Sequence, residues 1–199
     1  MFTKNISFKN FFIKKKNSSV KKNLSLILNE KNQVISSLSK SYKDSFNKKN
    51  TNHFNKKFDY RIIGMGGSTL GAQAIYDFLK KKIKKKFIFA DNLNSFENKN
   101  EKKNLNNLII SKSGNTTETI VNANILIKKK DKNLFITEKK ESYLSLLAQK
   151  LKAEVVDHNN YIGGRYSVLS EVGMLPAELM GLNYKNFRQL NNLVKNKSF

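Results

Sequence analysis

Residues 61–82, RIIGMGGSTLGAQAIYDFLKKK, decide the fold. Arg61–Met65 (RIIGM) is a short apolar run with two β-branched isoleucines, the pattern of a buried strand. Glycines at 64, 66, 67 and 71 then turn the chain. From Leu70 to Lys82 the apolar residues recur at helical spacing, which predicts a helix with Ala72, Ala74, Ile75, Phe78 and Leu79 on its inner side. Reading outward, strands are predicted at Lys86–Ala90, Leu108–Ser111, Asn133–Thr137 and Glu154–Val156. Helical patterns follow three of them, at 116–128, 143–151 and 167–180. Strands alternating with helices imply an α/β fold with a five-stranded parallel sheet, right-handed crossovers and helices on both faces. In such sheets ligands bind beyond the carboxyl ends of the strands.

All nine glycines lie between residues 64 and 181. The region before them is rich in Lys, Asn and Ser, with spaced apolar residues such as Leu24, Ile27, Val34 and Leu38. It reads as one or two amphipathic helices packed on the outside of the main domain. The first 29 residues contain no Asp or Glu. They contain no Arg either, and the lysine bias persists downstream, so a targeting peptide is not expected. The chain has 199 residues with no Cys, which excludes a disulfide scaffold, a thiolate metal site and a cysteine nucleophile. No apolar run reaches the ~18–20 residues of a membrane helix, so a soluble protein is expected.

The net charge of +23 suggests a nucleic-acid binder, but only three of 38 basic residues are arginine: Arg61, Arg165 and Arg188. Arginine is the residue suited to bidentate phosphate and base-edge contacts, so no nucleic-acid partner is expected. The runs Lys14–Lys16, Lys80–Lys86 and Lys128–Lys130 read as solvated faces.

Three strand-end loops carry chemistry. The first, Gly64–Gly71 (GMGGSTLG), opens a helix. A dinucleotide fingerprint would need glycine at Thr69, and no Walker lysine follows. What remains is backbone that approaches a ligand closely, with Ser68 at a helix N-terminus. The second, Ser111–Thr119 (SKSGNTTET), gathers five hydroxyls and a lysine at a helix N-terminus, a combination suited to a phosphate dianion. An ordinary capped turn needs only one hydroxyl. The third, Gly163–Ser170 (GGRYSVLS), sets Arg165 after two glycines at the mouth of the sheet. A guanidinium there can neutralise charge developing on substrate oxygens.

These loops, in this order, resemble the runs GIGGSxLG, SKSGxTxET and GGRFSVLSxVGLLP of the phosphoglucose isomerase (glucose-6-phosphate isomerase) family; here the last stands as GGRYSVLSEVGMLP, Gly163–Pro176. The second run alone marks only the broader sugar-isomerase (SIS) superfamily. The resemblance covers about residues 55–184 and implies an SIS-type domain there. A helical region at 1–54 precedes it, and 185–199 begins a second domain. It further implies interconversion of glucose 6-phosphate and fructose 6-phosphate through a cis-enediol, in glycolysis and gluconeogenesis, by a cytoplasmic homodimer needing no metal or cofactor. Carried over by position, Ser111, Lys112, Ser113, Gly114, Asn115, Thr116 and Thr119 line the phosphate site. Gly67, Ser68 and Gly164 touch the substrate, and Arg165 stabilises the enediol.

The family's catalytic glutamate, its ring-opening histidine and a late lysine fall further along the chain, in or after a second SIS domain. The expectation is therefore an N-terminal fragment, inactive alone. Glu118, Glu171 and Glu178 are not assigned as bases. His53 and His158 are isolated, and a solvent or turn role is expected for His158. The alternative is a stand-alone SIS module that binds a sugar phosphate without catalysis, which has no need of the GGRYS arginine.

Overall fold

The computed structural model describes residues 18–30, 32–54, 56–93 and 104–189. Five strands, β1 (Tyr60–Gly64), β2 (Phe87–Ala90), β3 (Asn106–Ile110), β4 (Lys132–Thr137) and β5 (Glu154–Asp157), form one sheet in the order β2-β1-β3-β4-β5. Every pairing is parallel, with Gly64 beside Ile110 where β1 meets β3. The helices are α1 (Ser18–Asn29), α2 (Gln33–Ser37), α3 (Gly67–Leu79), α4 (Thr117–Leu126), α5 (Tyr143–Lys150) and α6 (Glu171–Leu179). Because β2 and β3 flank β1 on opposite sides, the chain reverses its direction of travel between β1 and β3. Such a switch point opens a crevice at the carboxyl ends of the two strands.

Side chains alternate faces along each strand, and the core divides accordingly. Ile62, Leu108, Ile110, Leu134 and Ile136 meet Ala72 and Ile75 of α3 and Val172, Leu175 and Ala177 of α6. Ile63, Ile109 and Phe135 meet Ala123 of α4 and Leu144 and Ala148 of α5. The central strands are buried on both faces, which is why they read as continuous apolar runs. Phe46 and Phe54, from the segment before β1, are buried in the first of these clusters.

Several expectations are corrected. In α3, Ala72 and Ile75 face the sheet, but Ala74 is exposed and Phe78 is 88% exposed. Residues 74 and 78 share a stripe rotated away from the sheet, so this helix is apolar on two sides and only one is covered. The helix expected at 167–180 is broken. A 3₁₀ segment, Gly164–Leu169, ends at Ser170, whose extended backbone (φ −95°, ψ −171°) precedes α6. Ser167 Oγ and Ser170 Oγ bond back to the carbonyls of Gly164 and Ser167, at 2.6 and 2.7 Å, which competes with helix continuation. Helix α1 forms as expected, and its described side chains are all exposed. Lys80–Lys82 and Lys128–Lys130 are exposed, as solvated faces should be; Lys14–Lys16 lie outside the described residues. No helix among the described residues is long and apolar enough to cross a membrane.

Candidate sugar-phosphate site

The first two loops leave adjacent strands, β1 and β3, at the switch point. The turn after β1 is completed by Met65 and Gly66, so Gly67 and Ser68 already lie in the first turn of α3. A Cβ on Gly67 would collide with the Gly164 carbonyl; glycine is required here because the first and third loops pass backbone to backbone. Ser167 Oγ, pointing at the Gly67 carbonyl from 3.4 Å, spans the same contact. The segment leading into the third loop reaches the second as well, since Lys112 Nζ donates to the Asn160 carbonyl. All three loops therefore converge on one edge of the sheet.

Within the second loop, Gly114 adopts φ +68°, and a Cβ there would run into Ser142 Oγ. The close approach is fixed by Leu144 N donating to the Gly114 carbonyl at 3.0 Å and Tyr143 N donating to Asn115 Oδ1 at 2.9 Å. The N-terminus of α5 thus braces the loop from outside. Ser111, 2% exposed, shares a 2.9 Å hydroxyl–hydroxyl hydrogen bond with Thr116. Asn115 N donates to Ser113 Oγ at 3.2 Å, which tightens the turn.

Thr116 occupies the N-cap position of α4 yet makes no side-chain cap. The first N–H groups of a helix have no intrahelical acceptors, so this end of α4 presents donors and the positive end of its dipole. One turn in, Thr119 is fully buried and its Oγ1 has no hydrogen-bond partner among the described residues. Ser111 and Thr116 thus lie beside this open helix end, with Thr119 buried one turn behind it. The side chains of Lys112 and Asn115 turn elsewhere. Lys112 Nζ also lies 3.6 Å from Glu138 Oε1, and Asn115 is held by α5. Glu138 is in addition paired with Lys140 at 2.6 Å, and the hydrogen bond from Lys140 holds its carboxyl below the ordinary carboxylate range.

The three arginines have different fates. Arg61 is 6% exposed and ion-paired with Asp131; Arg188 is 3% exposed and ion-paired with Asp44. Arg165 is exposed, forms no ion pair among the described residues, and stands on the wall of an apolar groove of about 780 Å³ between Gly67, Leu70, Phe78, Val168 and Phe187.

Of the solvent or turn role expected for His158, the solvent half does not hold, since the residue is 1% exposed; its backbone N–H extends the ladder to the Thr137 carbonyl, and burial lowers its imidazole pKa. A trio that the sequence reading did not single out lies behind the third loop. Glu171, fully buried, accepts from Tyr42 Oη at 2.9 Å and from Asn159 N and Nδ2 at 3.2 Å each. The one signal for it in the sequence is a carboxylate standing among the apolar residues of VLSEVGMLP.

The model of the family described as "Phosphoglucose isomerase" matches residues 16–195. The chain is 37% identical to a glucose-6-phosphate isomerase of Acholeplasma laidlawii, over 61% of this chain and 33% of that protein. It is 35% identical to the Mycoplasma genitalium enzyme of that name, over 67% of this chain and 36% of the other. It thus spans about a third of the length of the curated relatives it matches. Among solved structures, a hypothetical protein from Thermus thermophilus aligns with a TM-score of 0.56 and 25% identity over 64% of this chain and 34% of that one. An Escherichia coli tagatose-6-phosphate ketose/aldose isomerase aligns with a TM-score of 0.53 and 16% identity over 69% and 41%, a likeness of fold. With three motif loops gathered at one sheet edge and a family match running through nearly the whole chain, this protein belongs to the phosphoglucose isomerase family.

Proposed function

We propose that this chain forms the phosphate cradle and the charge-stabilising wall of a glucose-6-phosphate isomerase. The observation that carries the reading is the uncapped N-terminus of α4 beside the paired hydroxyls of Ser111 and Thr116. An anion accepting from the helix N–H groups satisfies donors that the fold leaves open. Ser111, Ser113 and Thr116 supply hydroxyls, and Lys112, Gly114 and Asn115 supply backbone around them. From this anchor the sugar extends across Gly67 and Ser68 to Gly164 and Arg165.

In the isomerisation a base removes the C2 proton of open-chain glucose 6-phosphate and returns a proton to C1, while a proton moves from the C2 oxygen to the C1 oxygen. The cis-enediol between these steps carries developing negative charge on oxygen. Arg165 is suited to stabilise it because guanidinium stays charged through the reaction. The proton-carrying glutamate is expected from the remainder of the protein, so this chain should bind without turnover. In the same reading residues 55–184 are the first SIS domain, 1–54 an N-terminal helical region and 185–199 the opening of a second domain. The whole enzyme then serves glycolysis and gluconeogenesis as a cytoplasmic homodimer.

Calorimetric titration of the chain tests this. Glucose 6-phosphate and inorganic phosphate should bind, whereas unphosphorylated glucose should not. Equal binding of glucose and glucose 6-phosphate would remove the phosphate cradle from the account.

A further inference from the structure

We propose, resting on the isomerase reading above, that Glu171 is a positioning residue that fixes the loop presenting Arg165 to the enediol. Glu171 begins α6 and is 0% exposed, within a stretch, 171–177, in which every residue is buried. A buried carboxylate is costly unless its lone pairs are satisfied, and an apolar residue of similar volume often serves the fold as well. Here the satisfaction comes from neutral donors that belong to the loop itself and to its backing. Asn159 gives both its backbone N–H and its side-chain amide to Oε1, and Tyr42 gives its hydroxyl to Oε2.

The consequence is geometric. Asn159 opens the segment that carries Arg165, and Glu171 stands just after its end. The carboxylate clasps one to the other, so the intervening arc is closed at its base. Inside the arc, Ile162 N donates to the Asn159 carbonyl at 3.1 Å, Tyr166 N donates to the Gly163 carbonyl at 2.9 Å, and the Ile162 side chain is fully buried. Arg165 projects from the middle of an arc pinned at both ends. Glu171 has no exposed surface and does not reach the site mouth; it acts through Asn159.

The test uses the chain with two probes. One is inorganic phosphate; the other is arabinonic acid 5-phosphate, whose carboxylate carries charge where the enediolate would. Glu171→Ala should weaken the sugar-acid phosphate about tenfold, the scale of one charge-assisted hydrogen bond, and inorganic phosphate by less than about twofold. Glu171→Gln, which keeps an acceptor for Asn159, should restore most of the loss. Because the effect runs through Arg165, the double variant Glu171→Ala/Arg165→Ala should bind no more weakly than Arg165→Ala alone. Equal losses for both probes, or additive losses in the double variant, would overturn the proposal.

Should Glu171→Ala not fold, Tyr42→Phe removes one donor and keeps the ring. The Tyr42 hydroxyl also accepts from Asn159 Nδ2, so its loss loosens the whole clasp of Glu171, Asn159 and Tyr42. The variant should speed amide exchange selectively in residues 161–166 relative to α4; uniform acceleration, or none, overturns the positioning role. If the unaltered chain binds neither probe, the isomerase reading fails, and the exchange pattern still decides whether Glu171 pins the arc.

Discussion

The two ends of the sheet treat polar groups in opposite ways. At the amino end, Arg61, Asn107 and Asn133 stand side by side on β1, β3 and β4, and Asp131 precedes β4. Arg61 donates to Asn107 Oδ1, to Asp131 Oδ2 and to the Leu126 carbonyl at the C-terminus of α4, at 3.0, 3.2 and 2.7 Å. Asp131 also receives the N–H groups of Leu105 and Lys128. At the carboxyl end, the other terminus of α4 lacks a side-chain cap, Thr119 Oγ1 has no partner and Arg165 has no ion pair among the described residues. One helix thus has a satisfied end facing the core and an open end facing the crevice. At α4 the completed end serves the fold and the open end presents donors to the crevice. An unsatisfied buried atom alone marks no site, since His53 Nδ1, on a ring that meets the Asn133 carbonyl at the amino end, is likewise without a partner among the described residues.

This contrast is easiest to break at its strongest point. Asp131→Ala leaves the Arg61 guanidinium buried without its counter-ion and should cost about 3–5 kcal/mol of unfolding free energy in urea titrations. Phosphate affinity of the folded variant should stay unchanged; a loss of under about 1 kcal/mol would mean that the amino-end network is not a structural unit. Arg165→Lys should do the opposite. In the whole isomerase it keeps the charge but loses the planar fork, so kcat should fall roughly 10- to 1,000-fold with little change in KM or in melting temperature. A raised KM with kcat intact would make Arg165 a phosphate clamp.

The hydroxyls sharpen the comparison further. Ser111→Ala combined with Thr116→Ala removes the pair beside the helix end and should abolish the phosphate-induced rise in Tm, while costing only about 1 kcal/mol of intrinsic stability. An undiminished rise would locate the phosphate elsewhere.

His158 lies between the two regimes, in the fold yet next to the third loop. Burial lowers its pKa from the ordinary 6.5, so below that pH the unfolded chain takes up a proton that the folded chain resists. Stability should be fully present above pH of about 6.5 and decline below it by at most about 1.4 kcal/mol per pH unit. His158→Phe should flatten that slope, and an unaltered slope would assign the pH response to other groups. The smallest effect is expected at Phe78. Despite its size, Phe78→Ser should change stability by no more than about 0.5 kcal/mol, because the ring is already in solvent. A loss of several kcal/mol would return it to the inner face that helical periodicity first gave it.

Much of this architecture is written locally. Apolar runs such as Arg61–Met65 and Leu108–Ser111 mark strands because a parallel strand covered on both faces needs an unbroken apolar series. The glycines at 67 and 114 mark close approaches because any side chain would collide there. The hydroxyl-rich run 111–119 is legible for the same local reason: its groups gather about one helix end. Other features are decided by partners far away in the chain. Helix α3 carries apolar residues on two sides, and only the arrival of the sheet and α6 determines that Ala72 is covered and Phe78 is not. Lys112 is drawn from its own loop by Asn160 and Glu138, and Glu171 finds Tyr42 a distance of 129 residues back. Periodicity determines which residues can share a face. Which face is buried, and which carboxylate meets which hydroxyl, depends on contacts between segments that no local pattern records.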